Sequence, residues 1–164
     1  MRVYRVGYAI FADHPLNGEG SFLYGGRWSS PGVRIAYAAT TLSLAMLEFF
    51  AHINVDDFDE ETPPELVYAC ANIPAEDIVT LDDLNVRLRD DWNDVPAPAA
   101  TAAIGDAWVA SARSAGLIVP SVLVPLAVEE RNVLINPLHP RCGNLCPRVE
   151  RLTYDRRIIR LKKK

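Results

Sequence analysis

Apolar residues recur along this chain with two periods. Alternation over Arg2-Val3-Tyr4-Arg5-Val6 predicts an opening strand, with Arg5 on the face opposite Tyr4 and Val6. Residues 11–26 read as a loop rich in turn formers, and Arg34-Ile35-Ala36-Tyr37-Ala38-Ala39 is a short apolar run. From Thr41 the period changes. Leu42, Ala45, Met46, Phe49, Phe50 and Ile53 fall at i, i+3, i+4, i+7, i+8 and i+11, one stripe of a helix that Thr40 or Thr41 can cap. Pro63-Pro64 breaks the chain, residues 65–73 alternate like a strand, and residues 78–81 are a short apolar run before an acidic, proline-bearing loop at 90–98. Residues 99–115 predict an alanine-rich helix with Gly116 as its C-terminal cap. A strand over 117–125, interrupted by Pro120, and an apolar segment over 130–137 complete the pattern. No repeat or linker divides it. The expectation is one α+β domain over residues 1–164, with a basic tail at 156–164.

One residue disturbs the helical pattern. Glu48 is the only charge between Ile35 and Ala51, and its side of the helix also carries Leu44 and Leu47. A helix apolar on nearly all sides is normally buried, and a carboxylate there must be paired, protonated or facing a cleft. Two readings follow: a structural ion pair with one of the arginines, or a catalytic carboxylate in a pocket with Arg27 and Tyr37 at its mouth. Spacing leaves both open. Arg5 is likewise an edge residue or an anion ligand, and Ser121, after Pro120, is a small packing residue or a functional one.

Gly25-Gly26, just before Arg27, permits positive φ or close backbone approach to a ligand. It is neither a G-x-G-x-x-G fingerprint nor a P-loop, so a nucleotide here would not be bound in the Rossmann manner. Ser121 lacks a G-x-S-x-G elbow, which disfavours an α/β-hydrolase. Asn132 and Asn136 are expected to hold turns. His139, Cys142 and Cys146 lack the usual metal-ligand spacing, so no metal is expected.

Composition sets the frame. The 164 residues suit one domain with a real core, and 49% hydrophobic against 23% charged residues marks a globular chain. No apolar run reaches the roughly 18 residues of a membrane span, and the N-terminus carries no basic-then-apolar signal. Three cysteines without a regular framework point to a reducing compartment, so a cytoplasmic protein is expected. The net charge of −4 is uneven. Acidic clusters stand at 56–61 and 82–94, while Arg151, Arg156, Arg157, Arg160 and three terminal lysines form a basic end. That end reads as a solvated strand or as a contact for an acidic partner. Without interleaved aromatics, and with a pI near 5.4, it does not suggest direct nucleic-acid binding.

Taken together, Val3-Tyr4-Arg5-Val6, Gly26-Arg27-Trp28, Ala36-Tyr37-Ala38-Ala39-Thr40, Ala45-Met46-Leu47-Glu48, Pro120-Ser121 and Asn132-Val133-Leu134-Ile135-Asn136-Pro137-Leu138-His139-Pro140 resemble the RES domain. This is the toxin half of bacterial RES–Xre toxin–antitoxin pairs. The resemblance covers roughly residues 2 to 154, with 63–98 its least family-like part. It implies a fold similar to the ADP-ribosyltransferases, a mixed sheet with flanking helices, acting on NAD as substrate without a prosthetic group. Arg27, Tyr37, Glu48 and Ser121 become the implied catalytic residues, with Arg27, Tyr37, Ser121 and Arg5 contacting NAD. In that picture Glu48 acts at the ribose and Arg27 at the pyrophosphate. Tyr37 stacks on nicotinamide or bonds a ribose, and Ser121 orients the nicotinamide end.

The implied activity is cleavage of the nicotinamide–ribose bond, with water (glycohydrolase) or phosphate (phosphorylase) as acceptor, depleting NAD and arresting growth. ADP-ribosyl transfer to a protein target is the alternative, and a non-enzymatic nucleotide-binding module a second. A ribonuclease is disfavoured, because His14, His52 and His139 form no obvious acid–base pair. The implied partner is an Xre-like helix-turn-helix antitoxin that blocks the pocket and alone contacts DNA. A homodimer is allowed, and no membrane is involved.

Overall fold

The computed structural model describes residues 1–53, 63–127, 129–155 and 157–160. Its strands are β1 (Arg2–Tyr8), β2 (Ala36–Ala39), β3 (Leu66–Asn72), β4 (Ile78–Thr80), β5 (Gly116–Val119), β6 (Asn132–Ile135) and β7 (Arg148–Leu152). The helices are α1 (Glu19–Tyr24), α2 (Leu42–His52), α3 (Ala99–Ser111) and the short α4 (Arg157–Arg160). The strands join in one mixed sheet of order β4-β5-β6-β2-β1-β3-β7, in which only β4 and β5 run parallel.

The sheet almost parts in the middle. β1 is registered with β3 along its length, from Arg2↔Asn72 to Tyr8↔Leu66, and β2 with β6 from Ala36↔Ile135 to Ala39↔Asn132. Between these halves β1 meets β2 at the single pair Tyr4↔Ala39. Alternation along each strand then sorts the core. Val6 and Ala39 pack with Leu44, Ala45 and Phe50 of α2, while Leu117, Val119 and Leu134 pack with Trp28 and Trp108 of α3. Val3, Ala36, Ala38, Val133 and Ile135 fill the opposite face. Each large aliphatic side chain buried this way contributes about 1.5–3 kcal/mol.

Helix α2 starts where its cap places it. The Thr41 hydroxyl accepts the Leu44 N–H at 3.1 Å and donates to Glu130 Oε1 at 2.8 Å. Leu44 is buried as expected, but Leu47 is 46% exposed, so α2 is open beside Glu48 rather than enclosed on all sides.

Several elements depart from the sequence pattern for local reasons. The 11–26 segment contains α1, because Asn17 Oδ1 accepts the Glu19 N–H and Gly18 takes a left-handed φ of 68° that starts the turn. Gly116 does not cap α3. The helix ends at Ser111 with Ala112 left-handed, since the buried Trp108 indole donates to Ser114 Oγ (2.9 Å), which draws the chain back under the helix, and Gly116 instead opens β5. The strand expected over 117–125 stops at Val119, before Pro120, which has no N–H to give a ladder. The solvated strand read for the basic end is present only at its start, where Arg151 lies in β7, and the chain beyond turns helical at α4. The acidic cluster at 56–61 and residues 161–164 lie outside the described residues.

Glycine is obligatory where α3 crosses the turn before β2. A Cβ on Gly105 would sit 1.8 Å from the Trp28 carbonyl oxygen, a backbone atom that cannot swing aside. Gly105→Ala is expected to destabilise the fold by about 3 kcal/mol, the upper range for overpacking. Gly20→Ala, with open space around its Cβ in α1, should be neutral or slightly stabilising. Thermal unfolding of the two variants checks both.

Candidate active site

Glu48 lies on the middle turn of α2 and keeps 22% side-chain exposure. Its Oε1 accepts from Ser121 Oγ at 2.7 Å and from Asn132 Nδ2 at 2.6 Å. Ionised carboxylates only accept, so Asn132 must present its amide nitrogen here. Ser121 is fully buried, and its oxygen accepts the Leu123 N–H at 3.0 Å, which leaves its proton for Glu48. Hydrogen bonds to a charged group contribute about 1.5–3 kcal/mol each. Both donors are delivered by strand ends. Val119 of β5 pairs with Asn132 of β6, and Asn132 pairs with Ala39 of β2, one residue before the threonines that lead into α2.

This arrangement bears on the ion-pair reading of Glu48. Among the described residues it makes no ion pair with an arginine; the solvent-exposed His52 lies beside it, with Nδ1 3.8 Å from Oε2 and bonded to the Glu48 carbonyl at 2.7 Å. One carboxylate oxygen is therefore anchored by two neutral donors. The other carries no hydrogen bond among the described residues.

Arg27 sits at the tip of a tight turn closed by the Gly26↔Ser29 bridge. Its Nη1 donates to the Trp92 carbonyl at 2.6 Å and its Nη2 to the Asp94 carbonyl at 2.9 Å. Partial burial pushes its pKa below the ordinary arginine value, while the nearby charges of Glu48 and Asp94 act in the opposite sense. A guanidinium stays charged throughout, and its five N–H donors exceed the two used here.

Tyr37 explains how that turn is held. Its hydroxyl accepts the Trp28 N–H and pairs with Ser29 Oγ, each at 3.0 Å, and a Cβ on Gly26 would lie 2.6 Å from it. The hydroxyl holds the turn together. Burial raises the Tyr37 pKa above its ordinary value. Arg5 stands at the seam of the sheet, where its Nη1 donates to the Tyr37 carbonyl at 2.6 Å, a group that has no ladder partner on β1. Desolvation lowers the Arg5 pKa, and no carboxylate pairs with it among the described residues.

The structure thus joins Glu48 directly to Ser121, and joins Arg27 to Tyr37 through one turn, with Arg5 behind Tyr37. It also adds a residue. Asn132, expected to hold a turn, contacts the carboxylate; Asn136 does hold one, accepting the Leu138 N–H at 3.1 Å. A polar residue opening an otherwise apolar strand was the available signal for Asn132. His139 caps the single turn Pro140–Asn144 by accepting the Arg141 N–H.

Comparison with known proteins gives a consistent set of relatives. The RES domain model matches residues 2–157. A toxin Res of Photorhabdus laumondii is 35% identical over 166 residues, spanning 99% of this chain and 100% of that protein. A Prs ADP-ribosylating toxin of a Sphingobium species is 37% identical over 153 residues, spanning 88% of this chain and 87% of that protein. Among solved structures, a chain of the M. tuberculosis MbcT–MbcA toxin–antitoxin complex shares the fold, with a TM-score of 0.69 over 93% of this chain and 84% of its own, at 21% identity.

Removing the Tyr37 hydroxyl tests the turn. Tyr37→Phe strands the Trp28 N–H and Ser29 Oγ, so it should cost about 1–3 kcal/mol of stability in urea unfolding at neutral pH. A folded-state pKa raised above 10 makes the hydroxyl's contribution complete below pH 10 and lost as pH rises through the folded value. The stability gap between wild type and variant should therefore hold at neutral pH and narrow above pH 10.

Proposed function

The chain belongs to the RES domain family, and we propose that it is the toxin of a toxin–antitoxin pair that breaks the nicotinamide–ribose bond of NAD. The observation that carries this reading is the Glu48 carboxylate, with Oε1 held by Ser121 and Asn132 and Oε2 without a hydrogen bond among the described residues, beside a pre-oriented Arg27. As the bond breaks, its electron pair returns to the pyridinium nitrogen, nicotinamide leaves neutral, and positive charge develops on the ribose, as in glycoside cleavage. A fixed carboxylate aimed at that charge, or at the ribose 2′-hydroxyl, stabilises the transition state without reorganising. The acceptor oxygen then bonds to the ribose carbon and loses its proton.

In this reading Arg27 binds the pyrophosphate through its remaining donors. Ser121 and Asn132 hold Glu48, and Ser121 also borders the nicotinamide end. Tyr37 acts through the Arg27 turn, and the charge of Arg5, which no carboxylate pairs among the described residues, favours the anionic dinucleotide at the seam. With water as acceptor the product is ADP-ribose, with phosphate its phosphorylated form, and either route depletes NAD. A second reading, ADP-ribosyl transfer to a protein side chain, is favoured by the 37% identical Prs ADP-ribosylating toxin, because the same cleavage serves both. An antitoxin of the Xre-like helix-turn-helix kind covers the site and carries the DNA contact, a role suggested by the toxin–antitoxin complex that shares the fold. No helix among the described residues is long and apolar enough to cross a membrane, which suits action in the cytoplasm.

NAD consumption by antitoxin-free protein, followed by mass spectrometry with and without phosphate, tests the reading and names the acceptor. Glu48→Gln should lower kcat by about a thousand-fold while the protein stays folded. Asn132→Ala, losing one hydrogen bond to a charge, should lower it by about 10- to 100-fold. Near-normal turnover by folded Glu48→Gln would falsify the catalytic assignment. Intact NAD in the wild-type reaction, with label transferred to a protein, would move the assignment to the transferase reading.

A further inference from the structure

The 63–98 stretch is the least family-like part of the sequence, yet it supplies both carbonyls that hold Arg27. Those carbonyls belong to a braced segment. Trp92 and Asp94 close turns onto Arg89 and Asp91, at 3.1 and 3.0 Å. The Trp92 ring stacks on Trp28, with centroids 6.3 Å apart and planes at 29°. Trp28 in turn is 2% exposed, donates its N–H to Tyr37, and abuts Gly105 of α3 through its carbonyl. The indole pair is therefore the joint between a fixed wall and the loop that aims the arginine.

We propose that Trp92 is a positioning residue for the dinucleotide phosphates, acting through Arg27. The proposal rests on Arg27 as the phosphate-binding cation. An unrestrained arginine loses most of its rotamer freedom when it grips an anion. Here two backbone carbonyls impose that order beforehand, and they remain in place only while the Trp28–Trp92 stack seats the loop. Backbone carbonyls suit the task, because they orient a guanidinium without cancelling its charge as a carboxylate would. The side chain of Asp94 adds a negative charge beside Arg27, so the loop restrains and moderates the cation together.

The test uses the full chain, with NAD as the probe. Steady-state turnover gives KM and kcat, and calorimetric titration of NAD into the Glu48→Gln background gives Kd without chemistry. Trp92→Ala should raise KM and Kd about ten-fold while kcat stays within about two-fold. Trp92→Phe, which keeps a stacking ring, should restore both. The Arg27→Ala, Trp92→Ala double variant should bind no worse than Arg27→Ala alone, because both remove one interaction. A folded Trp92→Ala protein with unchanged KM and Kd, beside a weakened Arg27→Ala, overturns the proposal and leaves the Arg27 reading standing. Additive losses in the double variant overturn it as well. Unchanged binding by Arg27→Ala overturns the underlying reading itself. Should Trp92→Ala not fold, Trp92→Leu, which keeps apolar bulk without the ring, decides on the same outcomes.

Discussion

A charge carried on an apolar helix has to be satisfied locally, and Glu48 is satisfied by two neutral donors. This choice has consequences. A cation against the carboxylate would have neutralised it, whereas Ser121 and Asn132 hold one oxygen and leave the negative charge intact. The donors arrive from the ends of β5 and β6, so the sheet register decides whether the carboxylate is held at all. The neighbouring loop depends on the same placement, since Ser121 accepts the Leu123 N–H while it donates to Glu48.

The second constraint is the near-separation of β1 from β2. Ladder hydrogen bonds missing there leave backbone groups in need of partners, and Arg5 supplies one to the Tyr37 carbonyl. The cost is a desolvated guanidinium with no carboxylate pairing it among the described residues. Tyr37 therefore works from both ends. Its carbonyl is held by Arg5, and its hydroxyl holds the turn that carries Arg27. Two glycines make that geometry accessible, Gly26 beneath the Tyr37 hydroxyl and Gly105 beneath the Trp28 carbonyl.

Separation of the charges is what suits the site to the chemistry we propose. Arg27 and Glu48 influence each other through space, but among the described residues neither consumes the other in an ion pair. A dinucleotide needs a cation at its phosphates and an anion at its ribose, and collapse of the two into a salt bridge would serve neither. The backbone carbonyls of Trp92 and Asp94 keep Arg27 in place without discharging it.

Much of this was legible in the chain itself. Period-2 and period-3.6 patterns marked β1, the core of β3, α2 and the body of α3, because burial of one face imposes those periods locally. Glu48 stood out for the same reason, as a charge where the pattern demanded apolar residues. Arg27, Tyr37 and Ser121 were marked by resemblance rather than by periodicity, and their assignment as site residues remains a proposal. What the sequence could not show depends on register and crossing contacts. Asn132 looked like a turn residue until pairing with Ala39 and Val119 set it beside the carboxylate. Gly116 looked like a helix cap until the Trp108 indole claimed Ser114. Trp92 and Asp94 lay in an acidic, proline-bearing loop whose pattern gave no sign of this role, since a backbone carbonyl has the same chemistry in every residue and only its position in the fold makes it a ligand. Local periodicity is written in side-chain order, whereas a hydrogen bond between residues 27 and 92 exists only once the whole chain has closed.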